Sequence, residues 1–297
     1  MSSESEAIPG PVSSTYVSQR LRLHYVDWGN EGAPTLVLVH GGRDHARSWD
    51  WVARELRRDF HVIAPDLRGH GDSSWAIGGH YTLPEFTLDL AQLIDLLDVP
   101  SVALIGHSLG GAVSIQYAAV FPDRVWKLVA IEGLGPPPQI VGRLANRPAW
   151  QRIAEWIQQV RDFSARQPRR YESIEAAAAR MEAENAFLSP EQAQHLTIHG
   201  VNRNEDGTYS WKFDNYVRIF YPQRYDTGET RELWGRIVCP TLLVHGTESW
   251  AGDPAADGRA EAFGDARVAN IEGAAHWVHH DRLESFVAVA RAFLDED

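Results

Sequence analysis

The hydrophobic and polar positions of the chain follow two alternating rhythms. Short unbroken apolar runs that end in glycine or polar loops recur: "TLVLVHGG" from Thr35, "HVIAPDLRGHGDS", "SVALIG", "VWKLVAIEG", "CPTLLVHG" from Cys239 and "ARVANIEG" from Ala266. Runs of this length without alternation predict strands buried on both faces. Between them lie segments with apolar residues three and four apart. "WDWVARELRRDF" is one. "LPEFTLDLAQLIDLLDV" is another, with Phe86, Leu90, Leu93 and Leu97 on one stripe, and "GGAVSIQYAAVFP" stops near Pro122. That spacing predicts helices. Strand and helix in alternation from Thr35 to Gly133 imply a mainly parallel sheet with helices on both faces, an α/β fold. Ahead of them, "TYVSQ" and "LRLHYVDWG" predict a strand pair, and the last segment, "HHDRLESFVAVARAFLDED", predicts a closing helix.

The rhythm breaks between Leu134 and Ile237. "PAWQRIAEWIQQVRDF" and "SIEAAAARMEAENAF" have helical spacing, "SPEQAQHL" opens with Ser189 as a helix cap and Pro190 behind it, and "EDGTYSWKFD" predicts a turn flanked by extended chain. No run in this stretch suits a buried strand. The organisation expected is a loose tail over 1–13, a core of 14–133 with 238–297, and an inserted, mainly helical cap over 134–237.

Composition narrows the possibilities without choosing a function. A chain of 297 residues that is 44% hydrophobic and 23% charged is not disordered throughout. The net charge of −12 argues against nucleic acid or an anionic membrane as partner, since both call for a basic surface. One cysteine, Cys239, allows neither an intramolecular disulfide nor a thiol metal cluster. The start, "MSSESEAIPGPVSS", has no basic stretch followed by an apolar run, and no segment reaches the ~20 apolar residues of a membrane span. A cytoplasmic protein is expected.

The stretch "VALIGHSLGGA" carries the chemistry. A serine at a sharp turn from strand to helix needs small neighbours two residues to either side, which is the pattern Gly106-His107-Ser108-Leu109-Gly110, with Gly111 letting the helix pack close. The turn exposes the hydroxyl and aims free N–H groups of a helix start at whatever it attacks. Flanked by a predicted strand and helix, the motif is specific. With "VLVHGG", "VIAPDLRGHGDSS", "CPTLLVHG" and "IEGAAHWVHH" in the same order, the chain resembles the α/β-hydrolase superfamily over nearly its whole length. The resemblance implies an α/β-hydrolase fold with Ser108 as nucleophile and His276, after the last strand, as its base. His279 and His280 are then solvated positions near the start of the final helix, and His107 points away from the serine. A zinc site on these histidines lacks both the HExxH order and a third ligand.

The acid is where the sequence departs from the family. The usual position, three residues after Gly246, holds Ser249, which cannot carry the charge that stabilises a protonated imidazole. Glu132, Asp253 and Glu248 could replace it. Glu132 is preferred because it ends the strand after the nucleophile's helix, where some relatives, certain dehalogenases among them, keep their acid. Asp253 is the runner-up, in the right loop but several residues late, and Glu248 is expected to face the wrong way.

The family's oxyanion hole maps to the N–H groups of Leu109 and Gly42. Arg43, at the pocket mouth, and Trp250 and Trp277 are expected at the substrate, and Asp66 and His40 as holders of loops; Asp44 and His45 are candidates to touch substrate, with Asp44 as a loop-fixing residue the equal alternative. The activity implied is hydrolysis of a small or medium carboxylic ester with an apolar part, through an acyl-enzyme, without metal or organic cofactor. Ser108 argues against haloalkane dehalogenase and epoxide hydrolase chemistry, which uses a carboxylate at that position in this family. The alternatives are cleavage of a thioester, lactone or carbon–carbon bond by the same residues, or a catalytically weak ligand-binding protein on a hydrolase scaffold.

Overall fold

Five consecutive strands of the core are almost wholly buried, and their residues sort alternately onto two hydrophobic layers. The computed structural model describes residues 10–164, 166–222 and 226–296, the side chains of 144 and 145 aside. In chain order the core elements are β1 (Val12–Ser18), β2 (Leu21–Asp27), β3 (Thr35–Val39), α1 (Asp50–Leu56), β4 (His61–Pro65), α2 (Leu83–Leu96), β5 (Val102–His107), α3 (Leu109–Val120) and β6 (Val125–Ile131). The segment that follows forms α4 (Pro138–Ala145), α5 (Ala149–Ser164), α6 (Ile174–Glu184), α7 (Pro190–Gly200), β7 (Val201–Arg203), β8 (Tyr209–Trp211) and α8 (Thr227–Trp234). The chain then returns to the core with β9 (Thr241–Gly246), β10 (Ala266–Ile271), α9 (Val278–Asp281) and α10 (Leu283–Asp295).

Eight strands form one sheet in the order β1-β2-β4-β3-β5-β6-β9-β10. Only β2 runs against the others, since it is antiparallel to both β1 and β4 while every later pairing is parallel. Val37, Val39, Leu104, Leu128 and Leu243 face one layer with Leu90 and Leu93 of α2 and Val113 and Tyr117 of α3. Leu36, Leu38, Ile105, Val129 and Val244 face the other, with Val52 and Leu56 of α1 and Phe286 and Phe293 of α10. The two-residue period of a strand delivers successive side chains to opposite faces, so unbroken apolar runs fill both layers.

Local signals set the boundaries. Thr82 and Glu85 form a reciprocal cap at the start of α2, with Glu85 Oε2 accepting from the Thr82 N–H at 2.9 Å. Ser189 caps α7 in the same way with Gln192. Two expectations need correction. β1 begins at Val12, inside the stretch read as a loose tail, because Val12 and Ser13 pair with Asp27 and Val26 of β2; residues 1–9 lie outside the described part. The closing helix is also broken, since Arg282 at φ −140° separates α9 from α10.

Among the described residues the segment between β6 and β9 adds no strand to the main sheet; β7 and β8 pair with each other in a two-stranded ribbon, which Tyr171 extends by a single bridge to Tyr209 of β8. Its α7 lies across the loop that follows β3, where His45 Nε2 donates to the Leu196 carbonyl at 2.9 Å.

Candidate active site

The chain goes from β3 to β4 on one side of the sheet and to β5 on the other, so the order reverses between β3 and β5. Loops at the carboxyl ends of parallel strands open a crevice at such a reversal. Ser108 stands there, at the end of β5. Its backbone has φ +50° and ψ −113°, which lifts the side chain out of the sheet, and its N–H donates to the Ile131 carbonyl at 2.8 Å. The turn needs the glycines around it. A Cβ on Gly106 would collide with the Gly110 carbonyl, and one on Gly110 with the carbonyls of Val39 and His40.

His276 comes from the loop after β10. Its Nε2 lies 3.0 Å from Ser108 Oγ. With the hydroxyl donating to Nε2, the neutral ring carries its proton on Nδ1. That nitrogen is buried, has no hydrogen-bond partner among the described residues, and faces Glu132 Oε2 at 3.8 Å. Glu132 leaves the end of β6 in the left-handed region, at φ +53°, with its side chain 1% exposed. Its Oε1 accepts from His245 Nδ1 at 2.9 Å and from the Gly246 N–H at 2.8 Å; its Oε2 accepts from Ser249 Oγ at 2.9 Å. Ser249, at the position where an acid is missing, therefore grips the carboxylate that approaches His276 from another strand.

His245 and the gripping role of Ser249 were not legible in the sequence. "TLLVHG" looks like any buried strand, and Ser249 registered only as an absence. The usable signal was the pairing of an acid after β6 with a hydroxyl at the usual acid position.

The competing carboxylates lie elsewhere. Asp253 accepts from the Ala255 N–H at 2.8 Å and from Asn270 Nδ2 at 2.9 Å, and has no contact with His276 among the described residues. Burial pushes its carboxyl up, but these donors outweigh it and hold the group below the usual range. Glu248 is exposed.

The loop after β3 lies directly over the nucleophile. A Cβ on Gly41 would fall 2.6 Å from His107 Nδ1 and 3.4 Å from Ser108 Cβ, and one on Gly42 would fall 4.0 Å from Leu109 Cδ2. Gly42 and Leu109 are thus neighbours beside Ser108. His40 secures the loop, accepting from the Leu67 N–H on Nε2 at 2.9 Å and donating from Nδ1 to the Gly41 carbonyl at 2.6 Å. Burial pushes its imidazole down to about 3, which keeps it neutral for that double role. Asp66 accepts from the Ala46 and Asp72 N–H groups and from His24. Burial raises its carboxyl, yet His24 and its other partners outweigh this and hold it well below the usual range.

Arg43 and Trp277 line one cleft with Asp44, Gly71, Trp211 and Phe213. Trp250 is exposed, and its ring centre lies 5.0 Å from that of His276. His107 donates from Nε2 to the His276 carbonyl at 2.9 Å, so it supports the base loop.

The expectation for His279 and His280 is overturned, for both are buried. The short α9 turns them inward: His279 stacks on Trp49 with ring centres 4.4 Å apart, and His280 lies 4.2 Å from His279. Burial holds His279 well below the usual imidazole range and His280 at about 3, so they pack as neutral aromatic plates.

Comparison with known proteins agrees with this architecture. A family model described as the alpha/beta hydrolase fold matches residues 34–283. The esterase Rv0045c of Mycobacterium tuberculosis is 27% identical over 298 residues, covering 98% of this chain and 93% of that protein. A solved structure of that esterase superposes with a TM-score of 0.75 at 24% identity, over 97% of this chain and 93% of the other. Epoxide hydrolase 1 of Caenorhabditis elegans is 25% identical over 295 residues, 95% of this chain and 70% of that one. An uncharacterized protein of M. tuberculosis, Rv2715, is 38% identical over 117 residues, but the match spans 39% of this chain and about a third, 34%, of that protein. With the matched region running from the strand before Gly41 to the start of the final helix, and the reversal point, elbow and sheet order all in place, the chain belongs to the alpha/beta hydrolase family.

Proposed function

We propose that this hydrolase is a serine esterase that cleaves a small or medium carboxylic ester with an apolar part. The observation that carries the reading is the 3.0 Å approach of His276 Nε2 to an elbow serine, with a buried carboxylate behind the ring. His276 takes the Ser108 proton as Oγ attacks the ester carbonyl. The charge that develops on the carbonyl oxygen is met by the N–H groups of Leu109 and Gly42. The protonated imidazole then hands its proton to the leaving alcohol, and an acyl group remains on Ser108. Water, deprotonated by His276, releases the acid and restores the serine.

Glu132 acts when the ring becomes charged. In the resting arrangement its Oε2 is 3.8 Å from Nδ1, too far for a hydrogen bond. Imidazolium formation creates opposite charges across that gap, and a sub-ångström shift of either group makes a charge-assisted bond. An acid that tightens its hold after proton transfer favours the transition state over the resting enzyme. Arg43, Trp250 and Trp277 surround the entry, and residues 134–237 form the lid that sets substrate size. A carboxylate nucleophile, as epoxide chemistry in this family requires, is absent at position 108.

The test is labelling by a fluorophosphonate probe together with hydrolysis of short p-nitrophenyl esters. Wild-type protein is expected to be labelled at Ser108 and to turn over the ester. Ser108→Ala should abolish labelling and leave at most a residual rate, a loss on the order of 10³–10⁶ in kcat. A folded wild-type chain that neither labels nor turns over would overturn the proposal in favour of a ligand-binding protein on this scaffold.

A further inference from the structure

Apart from the serine site, a second group of polar side chains meets where the segment between β6 and β9 rests on the core. His195 and His199 stand one turn apart on α7, so their rings share a face, with centres 4.7 Å apart. Asp50, at the start of α1, comes up from the core to meet them. Its Oδ2 lies 3.1 Å from His195 Nε2. One ligand atom from each of the three residues lies within 4.8 Å of the others.

We propose that Asp50, His195 and His199 bind a first-row divalent transition metal, Zn²⁺ foremost, and that the ion clamps α7 to the start of α1. The donor set is two imidazoles and one carboxylate, which suits Zn²⁺ and its neighbours in the first row and leaves coordination positions for water. Zn–N and Zn–O bonds of about 2.0–2.2 Å place tetrahedral ligand atoms roughly 3.3–3.5 Å apart, within reach of small side-chain rotations here. His199 has no hydrogen-bond partner on its ring among the described residues. The Trp51 ring packs 4.6 Å from that of His195 and gives the site an apolar wall.

Two competitors are present: His195 Nε2 also donates to the Arg47 carbonyl at 3.2 Å, a bond that a metal would replace, and the Arg47 side chain holds Asp50. Arg47 donates to both Asp50 oxygens from Nε, at 2.9 Å, and to Oδ2 from Nη2 at 2.7 Å, and its side chain is 28% exposed. An incoming cation would share Asp50 with this guanidinium or turn it outward to solvent. The metal takes no part in the ester chemistry. It joins α7 to the 43–50 loop, which carries Arg43 toward the cleft, and so it fixes the lid segment on the core.

Untagged protein, freed of metal with a chelator, is titrated with Co²⁺ and separately with Zn²⁺. The proposal expects one ion per chain, a visible Co²⁺ spectrum that Zn²⁺ bleaches, and a Zn²⁺-dependent rise in Tm that chelation reverses. His199→Ala is expected to weaken binding by more than the roughly 10–100-fold that loss of a supporting neighbour costs, while ester hydrolysis without metal stays intact. Arg47→Gln removes a competing positive charge and should tighten binding by about tenfold. Circular dichroism checks that both variants fold. Absence of the Co²⁺ spectrum in the wild type, or equal Zn²⁺ affinity in wild type and folded His199→Ala, would overturn the site. So would unchanged or weaker binding in folded Arg47→Gln.

Discussion

Three residues of the candidate site, Ser108 at φ +50°, Glu132 at φ +53° and Arg43 at φ +64°, occupy backbone regions that side chains other than glycine seldom adopt. Each such position costs on the order of 1–3 kcal/mol and persists only where surroundings over-determine it. Here the Ser108 N–H is held by the Ile131 carbonyl and the Glu132 N–H by the Val244 carbonyl, so adjacent strands supply the constraint for these two. On the proposed assignment, Glu132→Gln lowers kcat by roughly 10²–10⁴ with folding intact, whereas Asp253→Asn stays within about threefold of wild type. Steady-state kinetics on both variants decides between them; equal small losses would refute the role of Glu132. Ser249→Asp provides a sharper test. It would set a second carboxylate against Glu132 Oε2, where Ser249 Oγ now donates at 2.9 Å. Two carboxylates that close cannot both stay ionised cheaply, so one retains its proton to higher pH. The acid limb of the pH–kcat profile is expected to move upward in this variant.

At the scale of elements, the position of the serine depends on how closely α3 can lie on the strand ends. A Cβ on Gly111 would come 2.7 Å from Gly133 Cα, and one on Gly133 equally close to Gly111 Cα. Helix and chain touch there backbone to backbone, which leaves no room for a methyl group. Gly133→Ala is expected to push the loop after β6 away from α3, at a cost of about 1–3 kcal/mol. In a chain of this size each kcal/mol corresponds to roughly 2–4 °C in Tm. The same shift displaces Glu132, the preceding residue, so kcat should fall with Tm. Thermal melts and kinetics on one preparation check both. The last helix is anchored by a different device: Lys127 of β6 reaches through the layer and donates from Nζ to the Phe293 carbonyl at 2.6 Å and also to Glu296 O, satisfying carbonyls at the end of α10.

For the whole molecule, buried imidazoles govern the response to acid. Burial pushes His40 and His280 down to about 3 and His70 to about 4, and holds His107 and His279 well below the usual range, with neighbouring imidazoles adding to the effect in all but His70. In the unfolded chain these rings titrate near 6.5. The unfolded state therefore binds more protons than the folded one below that pH, and stability falls as pH drops from about 6.5 towards 3–4. Asp66 works in the same direction but later. Its depressed carboxyl contributes fully above the unfolded value of about 3.9 and loses that contribution only below it. Tm is thus expected to decline measurably between pH 6.5 and 5, before carboxylates titrate. Melts at constant ionic strength test this, and a flat Tm down to pH 5 would contradict it.

Periodicity and one glycine-flanked serine were enough, in the sequence alone, to establish the α/β class, the order of strands and helices and the elbow, because these depend on neighbours a few residues apart. Unbroken apolar runs had to be strands covered on both faces, and Gly106 and Gly110 had to flank a tight turn. The carboxylate facing His276 was a preference among three, since Glu132, Ser249 and His276 come from three different strand ends and only the register of the parallel sheet brings them together. The burial of His279 and His280 was likewise invisible, for it depends on Trp49 arriving from the far side of the chain. The meeting of Asp50 with His195 and His199 was hidden too, because it exists only where the segment after β6 settles on the core. Local pattern reports what a residue's neighbours in sequence require, whereas the company kept by a charge or a ring is decided by packing.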